Sequence, residues 1–113
     1  LWAREYVLGT GWTAAIRVSP TGSSDPGNRL LAYDRTGSAL AVWDDVINCC
    51  SGDITASTFN TVAGWSVARV LQRYDERVQD QAAALSGAGT GAIVWSRRLS
   101  GFTGEGVYGV SVR

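Results

Sequence analysis

The 113-residue chain contains no lysine, no histidine and no methionine, and only two prolines and two cysteines. These absences remove most of the usual catalytic repertoire. A serine nucleophile needs a neighbouring base, and neither imidazole nor amine is present to act as one. A structural zinc site needs four thiolate or imidazole ligands, which Cys49 and Cys50 alone do not supply. No metal or other cofactor is therefore expected. No apolar run approaches the roughly 20 residues that span a bilayer, and no segment has the form of a signal or transit peptide. The missing methionine also bears on the start of the chain, which opens on Leu1-Trp2-Ala3-Arg4. It predicts a fragment released from a larger precursor, and if that precursor is exported its targeting segment has already been removed.

Charge is present but balanced, with ten arginines against ten acidic residues. Zero net charge argues against non-specific nucleic-acid binding, which depends on a cationic excess to neutralise phosphates. It argues equally against polybasic attachment to anionic membranes. Arginine in place of every lysine fits a GC-rich coding sequence. It also fits a protein that must escape amine modification, as a toxin entering through a cell's degradation machinery would, because arginine keeps the charge without the reactive amine.

With 45% hydrophobic and 18% charged residues, the chain reads as one globular domain over residues 1–113. Gly9-Thr10-Gly11 divides the first segment, and Trp12, Ala14, Ile16 and Val18 then alternate with Thr13, Ala15 and Arg17, predicting an N-terminal hairpin. Both prolines fall within residues 19–28, which reads as a loop. Segments 30–33 and 39–43 flank Asp34-Arg35-Thr36-Gly37, where aspartate opens a turn and glycine takes the left-handed position, predicting a second hairpin. Leu40, Trp43, Ile47 and Cys50 also fit a helix over 38–50, or one helical turn over 44–50 after a strand. Segments 92–99 and 107–113 predict a third hairpin, with Tyr108, Val110 and Val112 sharing a face and Ile93 and Trp95 sharing a face of the neighbouring strand.

Between residues 55 and 85, Phe59, Ala63, Val67, Val70, Tyr74, Val78, Ala82 and Leu85 recur every three or four positions, predicting one long amphipathic helix bent at Gly64. Thr55 or Ser57 would cap its start and Ser86-Gly87 would close its end. The expected fold class is thus α+β, an antiparallel sheet of six strands built from hairpins, with the long helix packed across one face as an α/β sandwich.

The remaining chemistry is sparse. Adjacent Cys49 and Cys50 read as buried thiols, as a strained vicinal disulfide, or as a bond to another chain. Asp44-Asp45 makes a poor acid/base pair, because neighbouring side chains on a strand point to opposite faces. On the expected helix, Arg69, Arg73 and Arg77 interleave with Asp75, Glu76 and Asp80, placing Arg73 with Glu76 and Arg77 with Asp80 as weak surface ion pairs. The glycines at 87–91 and 104–106 read as turns, since the first run would leave a helix rather than feed one. Most of the five tryptophans are expected in the core. Phe102 at a loop tip, with Arg97 and Arg98, forms a candidate partner surface to which Arg69, Arg73 and Arg77 are added.

A small chain without an initial methionine, built from hairpins around a helix, resembles the compact α/β killer toxins and related effectors that fungi secrete after precursor cleavage. That resemblance implies a secreted, non-enzymatic protein that acts on competing cells by binding a surface or intracellular target. The alternative expectation is a structural or assembly protein, such as a virus-particle component. It would form homo-oligomers, or join another fragment of the same precursor, through residues 59–85 or an edge strand at 107–113. The third is a small carboxylate-dependent hydrolase with a raised aspartate pKa.

Overall fold

Asp34 organises the turn that joins the first two long strands. Its Oδ1 accepts from the backbone N–H of Thr36 at 2.7 Å and of Ser38 at 3.0 Å, and Gly37 adopts φ 85°. Either side of that turn run β5 (Pro26–Tyr33) and β6 (Ala39–Val46), paired from Tyr33↔Ala39 to Arg29↔Trp43. The hairpin expected from the aspartate and glycine is therefore present, and it extends beyond the predicted strands at both ends. A computed structural model describes residues 1–22, 26–46, 52–74, 78–98 and 105–112, without the side chains of Pro26, Tyr74, Arg97, Arg98 and Glu105. Cys49, Cys50, Arg77 and Phe102 lie outside the described residues.

Twelve strands and no helix make up this described part. The expected α+β sandwich is overturned, and the long helix over 55–85 is four strands: β7 (Gly52–Asn60), β8 (Gly64–Trp65), β9 (Arg69–Tyr74) and β10 (Val78–Leu85). The physical reason lies in two sequence features that the three-four spacing overrode. Ile54, Thr55 and Thr58 are β-branched and stiff at χ1, which favours the pleated backbone. Asn60 then stops the strand by accepting from the N–H groups of Val62 at 3.0 Å and Ala63 at 2.7 Å, and Gly64 follows at φ 76°. Thr55 and Ser57, expected as helix caps, are instead buried within β7. The helical alternative over 38–50 also fails as far as it is described, since β6 remains extended to Val46.

The five-stranded sheet runs β5-β6-β7-β8, with β9 also paired to β7. A second, three-stranded sheet runs β10-β11-β12, formed by β11 (Gly91–Arg98) and β12 (Glu105–Val112). Its β11/β12 ladder is continuous from Gly91↔Val112 to Arg98↔Glu105, so the third predicted hairpin is present. The glycines after Leu85 serve a strand turn, in which Ser86 N–H donates to the Thr90 carbonyl at 2.8 Å and Gly89 has φ 74°.

The two sheets pack face to face. Leu40, Val42, Ile54 and Ala56 of one meet Val78, Ile93 and Trp95 of the other, with Tyr108, Val110 and Val112 packed around them. Tyr108, Val110 and Val112 do share the inner face with Ile93 and Trp95, and the Trp95 and Tyr108 rings stack at 6.3 Å. Along one side β10 lies beside β5, where Asn28 Nδ2 donates to the Gln79 carbonyl at 2.9 Å. On the other side β9 and β12 are both sheet edges, and a groove of about 440 Å³ between them reaches Leu40, Ala56, Leu71 and Val112.

The N-terminal residues add a third layer. β1 (Trp2–Ala3) pairs with β4 (Ile16–Arg17), and within that ribbon β2 (Tyr6–Val7) pairs with β3 (Gly11–Trp12). The predicted N-terminal hairpin is thus present as two short ladders rather than two continuous strands. The ribbon packs Leu1, Ala3 and Val18 over Ala41 and Trp43, on the face of the larger sheet opposite the main core. The molecule measures 54 × 30 × 19 Å, and its radius of gyration of 15.0 Å exceeds the about 13 Å expected for this length.

Candidate binding groove

The face of the five-stranded sheet that meets the ribbon carries alternate residues of each strand, as strand geometry requires. One cross-strand row runs Tyr33↔Ala39↔Phe59↔Trp65, and the next runs Leu31↔Ala41↔Ser57. Ala41 at the centre of the second row leaves a depression between larger side chains. Phe59 and Trp65 make one wall, with ring centroids 5.4 Å apart at 48°, and Leu31 and Tyr33 make the other. Trp2, Ala3, Ile16 and Val18 of the ribbon complete a groove of about 400 Å³. That volume falls within the range of small-ligand and side-chain pockets.

The lining is mainly apolar, yet several of its large residues face solvent. Trp2 is 64% exposed, Leu31 62%, Tyr33 55% and Ile16 52%. These exposed apolar side chains thus cluster around one concavity.

Arg4, Glu5 and Arg29 supply the charge. Arg4 Nε donates to the Thr13 carbonyl at 3.0 Å, and its Cζ sits 6.0 Å from the centroid of the Trp12 ring. Tyr6 in turn packs edge-on to Trp12 at 5.3 Å and 69°. The Glu5–Thr13 bonds close the ribbon around this arrangement, with Thr13 N–H donating to the Glu5 carbonyl at 2.8 Å and Thr13 Oγ1 accepting from Glu5 N–H at 3.0 Å.

The candidate residues drawn from the sequence fall elsewhere. Arg69 and Arg73 lie on β9, with a register shift in the β7/β9 ladder between their partners. Arg69 borders the groove between the sheet edges. Arg73 pairs across the strands with Asp53 at 3.8 Å, while Glu76, its expected partner, lies outside the described residues. Arg97 and Arg98 stand at the end of β11, in the other sheet, opposite Gly106 and Glu105. By backbone, Arg69 and Arg73 belong to the five-stranded sheet and Arg97 and Arg98 to the three-stranded one.

The acidic residues are partly gathered. Asp45 lies opposite Asp53, and its Oδ2 accepts from Thr55 Oγ1 at 3.1 Å. Asp44 is buried on the opposite side of β6, where its carboxylate fills the space a Cβ at Gly27 would need. Among the described residues no group of three potential metal ligands occurs. At the Asp34 turn, hydrogen bonds from Thr36 hold the carboxyl below its ordinary value of 3.8, the opposite of the raised pKa a carboxylate hydrolase needs.

Tryptophan placement departs from expectation as well. Trp43 and Trp95 are buried, whereas Trp2 and Trp12 are exposed on the ribbon. The groove residues went unnoticed in the sequence because Tyr33, Phe59 and Trp65 are brought together only by register. Ala41, a small residue between Leu40 and Val42, was the available signal. No helix among the described residues is long and apolar enough to cross a membrane. No protein-family model, curated protein or solved structure matches the chain.

Proposed function

We propose that this protein acts by binding rather than by catalysis, as a secreted toxin or effector, processed from a larger precursor, whose target seats a segment in the groove between the ribbon and the five-stranded sheet. The observation that carries this reading is the set of exposed apolar side chains, Trp2, Ile16, Leu31 and Tyr33, converging on one concave site. Aromatic anchors of this kind dominate protein interfaces because they bury large rigid surfaces at small entropic cost. The test is growth inhibition of a panel of microbial cells by the purified protein and by its Leu31→Ser/Tyr33→Ser variant. Inhibition by the parent that the variant loses supports the reading; an inert parent, or equal potency of the two, overturns it.

A second reading, an assembly protein, is favoured by a separate observation at β12. Its inward-facing residues join the core, while Val107 on its outer face is 80% exposed. No charge, proline or register shift interrupts Gly106 to Val112, so the devices that normally protect a sheet edge are missing. Sedimentation at increasing protein concentration separates the two readings. Assembly through this edge gives oligomers that Val107→Glu abolishes, whereas a monomer at all concentrations removes the second reading.

A further inference from the structure

The groove combines an apolar floor with a fixed cation at its wall. Arginine side chains on surfaces ordinarily lose rotamer entropy when they engage a ligand. Arg4 has already lost part of it, because its Nε is tied to the Thr13 carbonyl and its guanidinium lies over the Trp12 ring. A guanidinium carries five N–H donors in a planar fork, so one bond through Nε leaves the terminal nitrogens able to meet both oxygens of a carboxylate. Arg29 lines the same groove, and among the described residues Glu5 is the one acidic residue that does so.

Resting on the binding reading above, we infer that the groove is selective for a protein segment in which a bulky apolar side chain is followed by a carboxylate residue. The apolar side chain enters between Tyr33 and Trp2, over Ala41, and the carboxylate meets Arg4 at the rim. The Arg4 fork selects this partner over a neutral apolar segment. The apolar walls at Ile16, Val18, Leu31 and Phe59 select it over a saccharide, whose hydroxyls would be left without partners there.

The experiment is a titration of the isotopically labelled protein with acetyl-Ala-Leu-Trp-Glu-Ala-amide and with its Glu→Gln twin, followed by the indole N–H resonances in a nitrogen–proton correlation spectrum. The acidic peptide is expected to shift the Trp2 and Trp65 indoles, while those of Trp95 and Trp43, both buried, serve as internal controls of fold. The Gln twin is expected to bind about 3–10 times more weakly, the ratio typical of a partly exposed charge-assisted pair. Arg4→Gln brings both peptides to the weaker affinity, and Arg4→Lys, which keeps the charge but not the fork, falls between. Equal affinity for the two peptides in the parent overturns the inference while leaving a binding groove intact. Failure of both peptides, with shifts produced instead by a cello-oligosaccharide or by raising the protein concentration alone, overturns it in favour of a saccharide or a second copy. No shift with any of these probes also overturns it, and removes the groove's binding role with it.

Discussion

Single residues hold this fold at points where a strand has no alternative contact. Gly91 is one: a Cβ built there lies 2.8 Å from Val112 Cγ2, 2.9 Å from Leu40 Cδ2 and 3.2 Å from the Ala84 carbonyl. Gly91→Ala is therefore expected to cost about 1–3 kcal/mol through overpacking, measured by denaturant unfolding. Ile93, wholly buried between the sheets, has the opposite sensitivity. Ile93→Ala should lose about 2–5 kcal/mol by leaving a cavity. Asp34 contributes through charge. Its pKa is lowered in the fold, chiefly by the Thr36 side-chain bond, so its contribution is present above the unfolded value and disappears as pH falls through the folded one. Asp34→Ala should accordingly be less stable than the parent at neutral pH. The gap should close below about pH 4, as a series of melts across the acid range would show.

At the scale of elements, hairpins were legible in the sequence and the helix was not real. The 30–43 hairpin was readable because its turn chemistry is local: Asp34 and Gly37 act within five residues. The β11/β12 face was readable because alternation survives without bulges. Residues 55–85 misled because four strands, interrupted by a turn at 61–63 and an irregular stretch at 66–68, place apolar side chains at intervals that mimic a helical stripe. The β-branched run and the Asn60 turn carried the correct signal, but only relative to partners distant in sequence. Far-ultraviolet circular dichroism should show a strand spectrum without a helical component; a helical contribution of about 30 residues would refute the strand assignment. Within this region Gly64 sits at φ 76° with open space around it, so Gly64→Ala should cost about 1–2 kcal/mol from backbone strain alone, without a steric clash.

The candidate site belongs to the whole molecule, which is why so little of it was readable. Trp2 and Tyr33 are 31 positions apart in the chain and Tyr33 and Trp65 are 32 apart, and only layer packing and strand order set them around one groove. The bulk of tryptophan predicts a place in the core, which holds for Trp43 and Trp95 and fails for Trp2 and Trp12. The sandwich is also asymmetric, resembling a book with a spine along β5 and β10 and its pages free at β9 and β12. Thermal breathing should then part the free margins first, so that amides of β9 and β12 exchange with solvent well before those of β6 and β11. The same asymmetry gives mechanical load a direction. Pulling β9 and β12 apart peels the sheets open one contact at a time, whereas force along the strands must shear whole ladders at once, so the protein is weak as a hinge and strong as a strap.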